Sequence, residues 1–271
     1  MTEGYSMLLD FKVPNKPKEI GLAAVCDIHY GADTCHEKGL KAWVDLIKKK
    51  GWYWVGLGDL TENSLKTSVG DVYTQKYSPQ KQLQGVCEIL EPIAGHCLGM
   101  VAGNHGARTV RAAGIDIDNA IAANLGIKYY TFTIAGRIQI GDTNWRIMGH
   151  HTSGGGRTAG GKMNALVRMS EVWPAMNLYL GAHTHASLSY TDTIRRVSIH
   201  RSRAFETEMV RNYSGCGSAL RYAHSYAEAK LYSPASLCQV VHFLSQRVNH
   251  RADKTKADRW LMPYRREEVR L

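Results

Sequence analysis

Five times along this chain an apolar run stops at a side chain able to ligate a metal ion. Ile20 to Cys26 runs into Asp27 and His29, Tyr53 to Leu57 into Gly58-Asp59, and Cys97 to Ala102 into Gly103-Asn104-His105. Later, Trp145 to Gly149 runs into His150 and His151, and Leu178 to Leu180 leads to His183 and His185. Short continuous apolar runs read as strands buried on both faces. In an open α/β sheet, ligands bind beyond the carboxyl ends of such strands. A chain patterned this way is constrained to an α/β fold that gathers five strand ends at one place.

The stretches between the runs agree with that class. Lys38 to Lys50 carries Leu40, Trp43, Val44 and Ile47 at helical spacing, ends in three lysines that suit the negative end of the helix dipole, and stops at Gly51. Ser78-Pro79 opens a second helix as N-cap and first-turn proline, and Asp116 caps a third that runs to Leu125 before Gly126. Tyr129 to Ile134, Arg137 to Ile140 and Trp145 to Gly149 then follow as strands joined by glycine-bearing turns, with Thr191 to Ile199 and Gln239 to Phe243 further on. Alternating strands and helices followed by consecutive strands imply two sheets in a layered α/β fold. Residues 1–248 read as one domain with its motifs in 20–187 and further strands and a basic region in 188–248. Residues 249–271 read as a charged, exposed or frayed C-terminal tail.

Composition narrows the partners. Hydrophobic residues are 44% and charged residues 21% of the 271, an ordinary globular balance. No apolar run reaches the roughly 18 residues that cross a bilayer, and Met1 to Asp10 lacks a signal-peptide pattern, so a cytoplasmic location without membrane contact is expected. The six cysteines form no CxxC pair, which argues against a zinc ribbon or redox motif, and they read as reduced and mostly buried. The formal charge of +10 suits a polyanionic partner, nucleic acid first among them.

The chemistry lies in the strand-end groups. Asp27 and His29 are one residue apart, as are His183 and His185, so in extended backbone each pair faces one way. Carboxylate, imidazole and amide together fit manganese, iron, zinc or cobalt better than calcium or magnesium. A DxH, a Gly-Asp or a His-Thr-His alone is an ordinary turn or polar loop. Their specificity lies in the ordered set.

That set, Asp27-Ile28-His29, Gly58-Asp59, Gly103-Asn104-His105, His150-His151 and Gly181-Ala182-His183-Thr184-His185, resembles the calcineurin-like metallophosphoesterases over residues 20–187. A phage- or prophage-type member is suggested by Arg108 after the Gly-Asn-His and by His151-Thr152-Ser153 before three glycines. The resemblance implies a four-layer αββα sandwich of two mixed β-sheets flanked by helices. It implies two divalent cations, manganese first, with iron, zinc, cobalt or nickel as substitutes. Asp27, His29 and His185 would hold one, Asp59 would bridge, and Asn104, His183 and either His150 or, preferably, His151 would hold the other. His105 would be the catalytic histidine, contacting the phosphate and protonating the leaving oxygen. The chain departs from the family at Gly106, where relatives often carry an acidic residue, and at Thr152, where they tend to carry Gly or Pro. Arg108, Arg111 and Arg157 are candidates for binding substrate phosphate, with the loop from Gly154 through Arg157 to Lys162 closing over it.

The activity expected is hydrolysis of a phosphate ester. A phosphodiesterase or nuclease acting on nucleic acid or nucleotides comes first. A phosphomonoesterase of proteins or small molecules is the alternative, and a non-catalytic nucleic-acid-binding module on the same scaffold a further one.

Overall fold

The computed structural model describes residues 7–66, 68, 72–154, 156–200, 203–250 and 259–271. The strands are β1 (Leu9–Lys12), β2 (Glu19–Val25), β3 (Tyr53–Gly56), β4 (Cys97–Met100), β5 (Thr133–Ile140), β6 (Thr143–His150) and β7 (Leu178–Gly181), then β8 (Ser187–His200), β9 (Arg203–Cys216), β10 (Cys238–Ser245), β11 (Val248–His250), β12 (Arg259–Leu261) and β13 (Tyr264–Arg270). The helices are α1 (Glu37–Lys50), α2 (Pro79–Leu90), α3 (Gly106–Ala113), α4 (Ile117–Asn124), α5 (Ala159–Val167), α6 (Met169–Val172) and α7 (Tyr226–Ala229).

Two mixed sheets form the centre. One runs β1-β5-β6-β7-β9-β8, the other β13-β10-β2-β3-β4. β2, β3 and β4 are parallel, as are β6, β7 and β9, whereas β5–β6, β8–β9 and β10–β13 are antiparallel. Leu22, Ala24, Val55 and Leu57 from one sheet pack against Ile134, Ile138, Ile147 and Leu180 from the other. The outer face of the five-stranded sheet is covered by α1, α2 and α4 through Trp43, Ile47, Val86 and Ile121. The other outer face is covered by α5 and α6 through Leu166 and Met169 on Met148 and Tyr179. This is the four-layer αββα sandwich expected from the sequence. From Ile20 to Val25, β2 is apolar and buried because it lies between a sheet and a helical layer.

The helix ends are set locally. Gly51 closes α1 in the left-handed conformation (φ 62°), and the Ser78 and Asp116 side chains cap α2 and α4. Four of the six cysteines are buried and all are free. No helix of the described residues is long and apolar enough to cross a membrane.

Three expectations change. Tyr129 to Ile134 is not a strand of its own, since β5 begins at Thr133 and continues through Arg137 to Ile140 as one element. The Gly-rich loop is shorter than read, because Thr158 caps α5 by accepting from the Gly161 N–H, which leaves Lys162 on a helix. The stretch read as a charged tail includes an edge strand. β13 pairs with β10 along seven residues from Tyr264 to Arg270. Its charge hid it, yet charge is what a sheet edge carries to deter further pairing. Arg266 turns inward to donate to Ser214 Oγ and the Gly215 carbonyl. Residues 251–258 of that stretch lie outside the described residues.

Candidate metal centre

The five strand ends do meet. The loops after β2, β3, β6 and β7 bring ligating atoms into two groups, Asp27 with His29 and His185, and Asp59 with His151 and His183, and the loop after β4 adds His105 to a third with His29 and Glu62, the atoms of each group within 4.8 Å of one another. The groups adjoin, since His29 Nε2 stands 3.8 Å from Asp59 Oδ2.

The means of convergence differs from the pleat argument. Asp27, His29, Asp59, His183 and His185 are not extended but left-handed, with φ of 46°, 49°, 50°, 73° and 50°. Non-glycine residues rarely take that conformation, and clusters of it mark functional sites. Left-handed residues break the alternation of a pleat, so Asp27 and His29 share a group while His183 and His185 go to different ones. Backbone bonds lock the turns together. The His29 N–H donates to the Asp59 carbonyl at 3.0 Å, and the His183 N–H to Asp27 Oδ2 at 2.9 Å. Gly103 passes so close to Asp59 that a Cβ there would stand 2.1 Å from its Oδ1. That approach lets the next peptide reach the site, where the His105 N–H donates to Asp59 Oδ1 at 2.8 Å.

His151 joins the site and His150 does not. His150 is the last residue of β6, and adjacent strand residues point to opposite faces. His151 Nδ1 donates to the Leu57 carbonyl at 2.7 Å, which turns Nε2 toward Asn104 Oδ1 at 2.9 Å and Asp59 Oδ2 at 3.1 Å. Thr152, unusual in the sequence, donates from Oγ1 to the Ala182 carbonyl at 2.7 Å and so ties the His151 loop to the His183 loop.

The donor set fits a cation. With Nδ1 of His151 engaged as a donor, its Nε2, Asn104 Oδ1 and Asp59 Oδ2 meet as three acceptors. Likewise His29 Nδ1 is held by Glu62 Oε2 at 3.1 Å, leaving its Nε2 facing His185 Nε2 at 3.2 Å beside Asp27. Hydrogen-bonding the far ring nitrogen is how proteins fix a histidine for a metal. Without a metal a proton fills the role. Despite burial, Asp59 and Asp27 push His151 up to about 9. Burial pushes Asp59 up, but His151, His105 and His29 hold it well below the usual carboxylate range.

His105 lies at the mouth of α3. Its Nδ1 donates to the Glu62 carbonyl at 2.7 Å, and its Nε2 accepts from Arg108 Nη2 at 2.8 Å. Burial, then the neighbouring His29, pushes it down to about 4, so it is a neutral imidazole here.

Two acidic residues escaped the sequence reading. Glu62 grips His29, its carbonyl holds both His105 and Arg108, and it accepts from Ser64. Burial opposes its ionisation, but the hydrogen bond and charge of His29 hold it down to about 2. Its signal was available, an acid three residues after Asp59 in the same loop. Asp118 on α4 explains Gly106. A Cβ on Gly106 would stand 2.0 Å from Asp118 Oδ2, which accepts from the Gly103 N–H at 2.9 Å. Asp118 thus fills the space a side chain at position 106 would need, and burial raises it to about 7.

Of the three arginines, Arg108 and Arg157 line the cleft of about 780 Å³ that opens over the ligands. Arg111 is exposed on α3 and does not line it.

No known family profile matches the chain, and no curated protein matches it in sequence. Among solved structures it is similar to a predicted phosphoesterase from Streptococcus pneumoniae (10% identity, TM-score 0.36, 90% of this chain and 98% of that one). It is also similar to zinc-complexed Vps29 from Entamoeba histolytica (12%, 0.39, 92% and 98%) and to GAP50, the anchor in the inner membrane complex of Plasmodium (11%, 0.41, 85% and 82%). At these TM-scores such likeness decides nothing about function, which rests on the side chains.

Proposed function

We propose that this protein is a phosphoesterase working with two divalent cations, and that its substrates are phosphodiesters of nucleic acid or nucleotides. The observation that carries the first part is the convergence of Asp59 Oδ2, His151 Nε2 and Asn104 Oδ1 beside a second group of Asp27, His29 and His185 under an open cleft. Asp27, His29 and His185 would hold one cation, and Asn104, His151 and His183 the other, with Asp59 between them. Manganese is put first among the metals that a mixed set of carboxylate, imidazole and amide accepts, with iron, zinc, cobalt or nickel as substitutes. When bound, such a pair polarises phosphate oxygens and acidifies a water.

The chain's own residues supply the rest. Arg108 faces the cleft while its guanidinium occupies His105 Nε2. A phosphate drawing that guanidinium away frees Nε2 to meet a phosphate oxygen, while the Glu62 carbonyl holds the ring in place. His105 is neutral until substrate arrives, and a phosphate's negative charge raises its affinity for the proton that a leaving oxygen needs. The second part, the diester, is supported by the +10 charge of the chain.

The test is hydrolysis of bis(4-nitrophenyl) phosphate against 4-nitrophenyl phosphate, with chelator-stripped protein to which manganese is returned. Manganese should restore activity, with the diester preferred. A monoester preference would move the assignment to a phosphomonoesterase. Inactivity with manganese, iron, zinc, cobalt and nickel alike would refute it.

A further inference from the structure

The cleft is larger than one phosphate group requires. Its volume of about 780 Å³ is in the range that encloses a drug-sized ligand, comparable to a short run of nucleotides. The ligand groups form only its floor. The far wall comes from two segments remote in sequence, the stretch before and within α5 and the connection from β9 to β10.

That wall is built and basic. Arg157 and Lys162 come from the first segment, Arg221 from the second, and all three line the cleft. None of the three makes an ion pair with a carboxylate among the described residues. The two segments are fastened together. The Arg157 guanidinium lies 5.1 Å over the Tyr232 ring, and Ser233 Oγ donates to the Arg157 carbonyl at 3.3 Å. Within the second segment, Tyr222 donates from its hydroxyl to the Tyr232 carbonyl at 2.9 Å, and the Arg221 N–H donates to the Thr34 carbonyl at 2.9 Å. Cations and the rings of Tyr222 and Tyr232 along one wall match how single-stranded nucleic acid is held, backbone on charge and bases on aromatic faces.

The charge balance points the same way. Asp33 lines the cleft, and the Glu62 carboxylate is taken up by His29 and Ser64. Three cations, Arg157, Lys162 and Arg221, stand on the wall, a balance that suits an occupant with more than one phosphate.

We infer that Lys162, Arg221 and Tyr222 form a subsite for the phosphates and bases flanking the scissile bond, making the substrate a single-stranded oligonucleotide. The inference rests on the proposed function for its biological sense, but it makes a binding claim that stands without catalysis.

The test is fluorescence anisotropy of chelator-stripped protein with fluorescein-labelled trithymidylate, run beside the hydrolysis assay. Arg221→Ala and Lys162→Ala should each weaken binding about tenfold and lower the slope of log affinity against log salt by about 0.7. Arg221→Lys should restore most of the loss. In the hydrolysis assay the same variants should lose far more efficiency on trithymidylate than on bis(4-nitrophenyl) phosphate, which carries a single phosphate. Thermal melts of the variants within a degree or two of the parent exclude unfolding as the cause. Unchanged binding in both alanine variants, or tighter binding of a phosphopeptide than of trithymidylate, would overturn the inference. Tight, salt-sensitive oligonucleotide binding by a protein inactive with every metal would sink the proposed function and keep the oligonucleotide as a bound ligand of this subsite.

Discussion

The floor and the far wall of the cleft are made in opposite ways. On the floor, Asp27, His29, Asp59 and His151 are buried, and each is held by the backbone of a neighbouring loop or by a hydrogen bond to its far ring nitrogen. On the wall, Arg157 and Arg221 are exposed and held by a ring face and a single main-chain bond. The contrast separates two jobs. Atoms that must share a cation tolerate little displacement, so the fold over-determines them. Side chains that meet a long, variable anion need charge more than position, and a surface segment supplies it.

That division is open to attack at graded points. The hardest blow falls on the floor. Asp59→Asn should lose bound metal, read by elemental analysis, and with it several kcal/mol of transition-state stabilisation, about 10³-fold in kcat/KM. His105→Ala should keep its metal and lose about 10²–10⁴-fold in turnover. If both variants lost metal equally, His105 would belong to the floor and not to the substrate. Next, Glu62→Gln should lower metal affinity about 10–100-fold by loosening His29, measured by competition with a chelator. Wild-type affinity in that variant would mean the His29 ring is fixed by packing alone.

The smallest effect tests burial away from the cleft. His242 is fully buried with Tyr264 on Nδ1, and burial, with Arg266 nearby, pushes it down to about 3. Its folded pKa is depressed below the unfolded value of about 6.5. As pH falls from about 6.5 toward 3 the unfolded chain takes up a proton that the folded one refuses. Stability is therefore lost on acidification, by at most about 1.4 kcal/mol per pH unit. His242→Asn should flatten denaturation midpoints across that window, and an equally steep acid slope in the variant would assign the loss to other groups.

The sequence was legible where a residue's role follows from its neighbours along the chain. Asp27, Asp59 and Asn104 each end an apolar run, and the structure brings them together. What did not follow was backbone conformation. Alternation paired Asp27 with His29, which do share a group, but it also paired His183 with His185, which the left-handed turns send to different groups. Asp118 gave no local sign, because its role depends on an absent side chain at Gly106, twelve residues away. β13 looked like a tail since charge density is the same whether a segment is frayed or pairs at a sheet edge. The wall residues were visible only as an excess of Lys and Arg, without an address.

The left-handed turns at Asp27, His29, Asp59, His183 and His185 carry a penalty of their own, roughly 1 kcal/mol or more at each residue. Glycine would sit there at ease, and so a chain selected only for endurance in heat would drift toward glycine at these positions and go blind to metal. Loading with cations acts in the other direction, since an ion that binds only the folded form resists unfolding. The same five bends make the empty protein the more fragile one and give its ion the leverage to steady it.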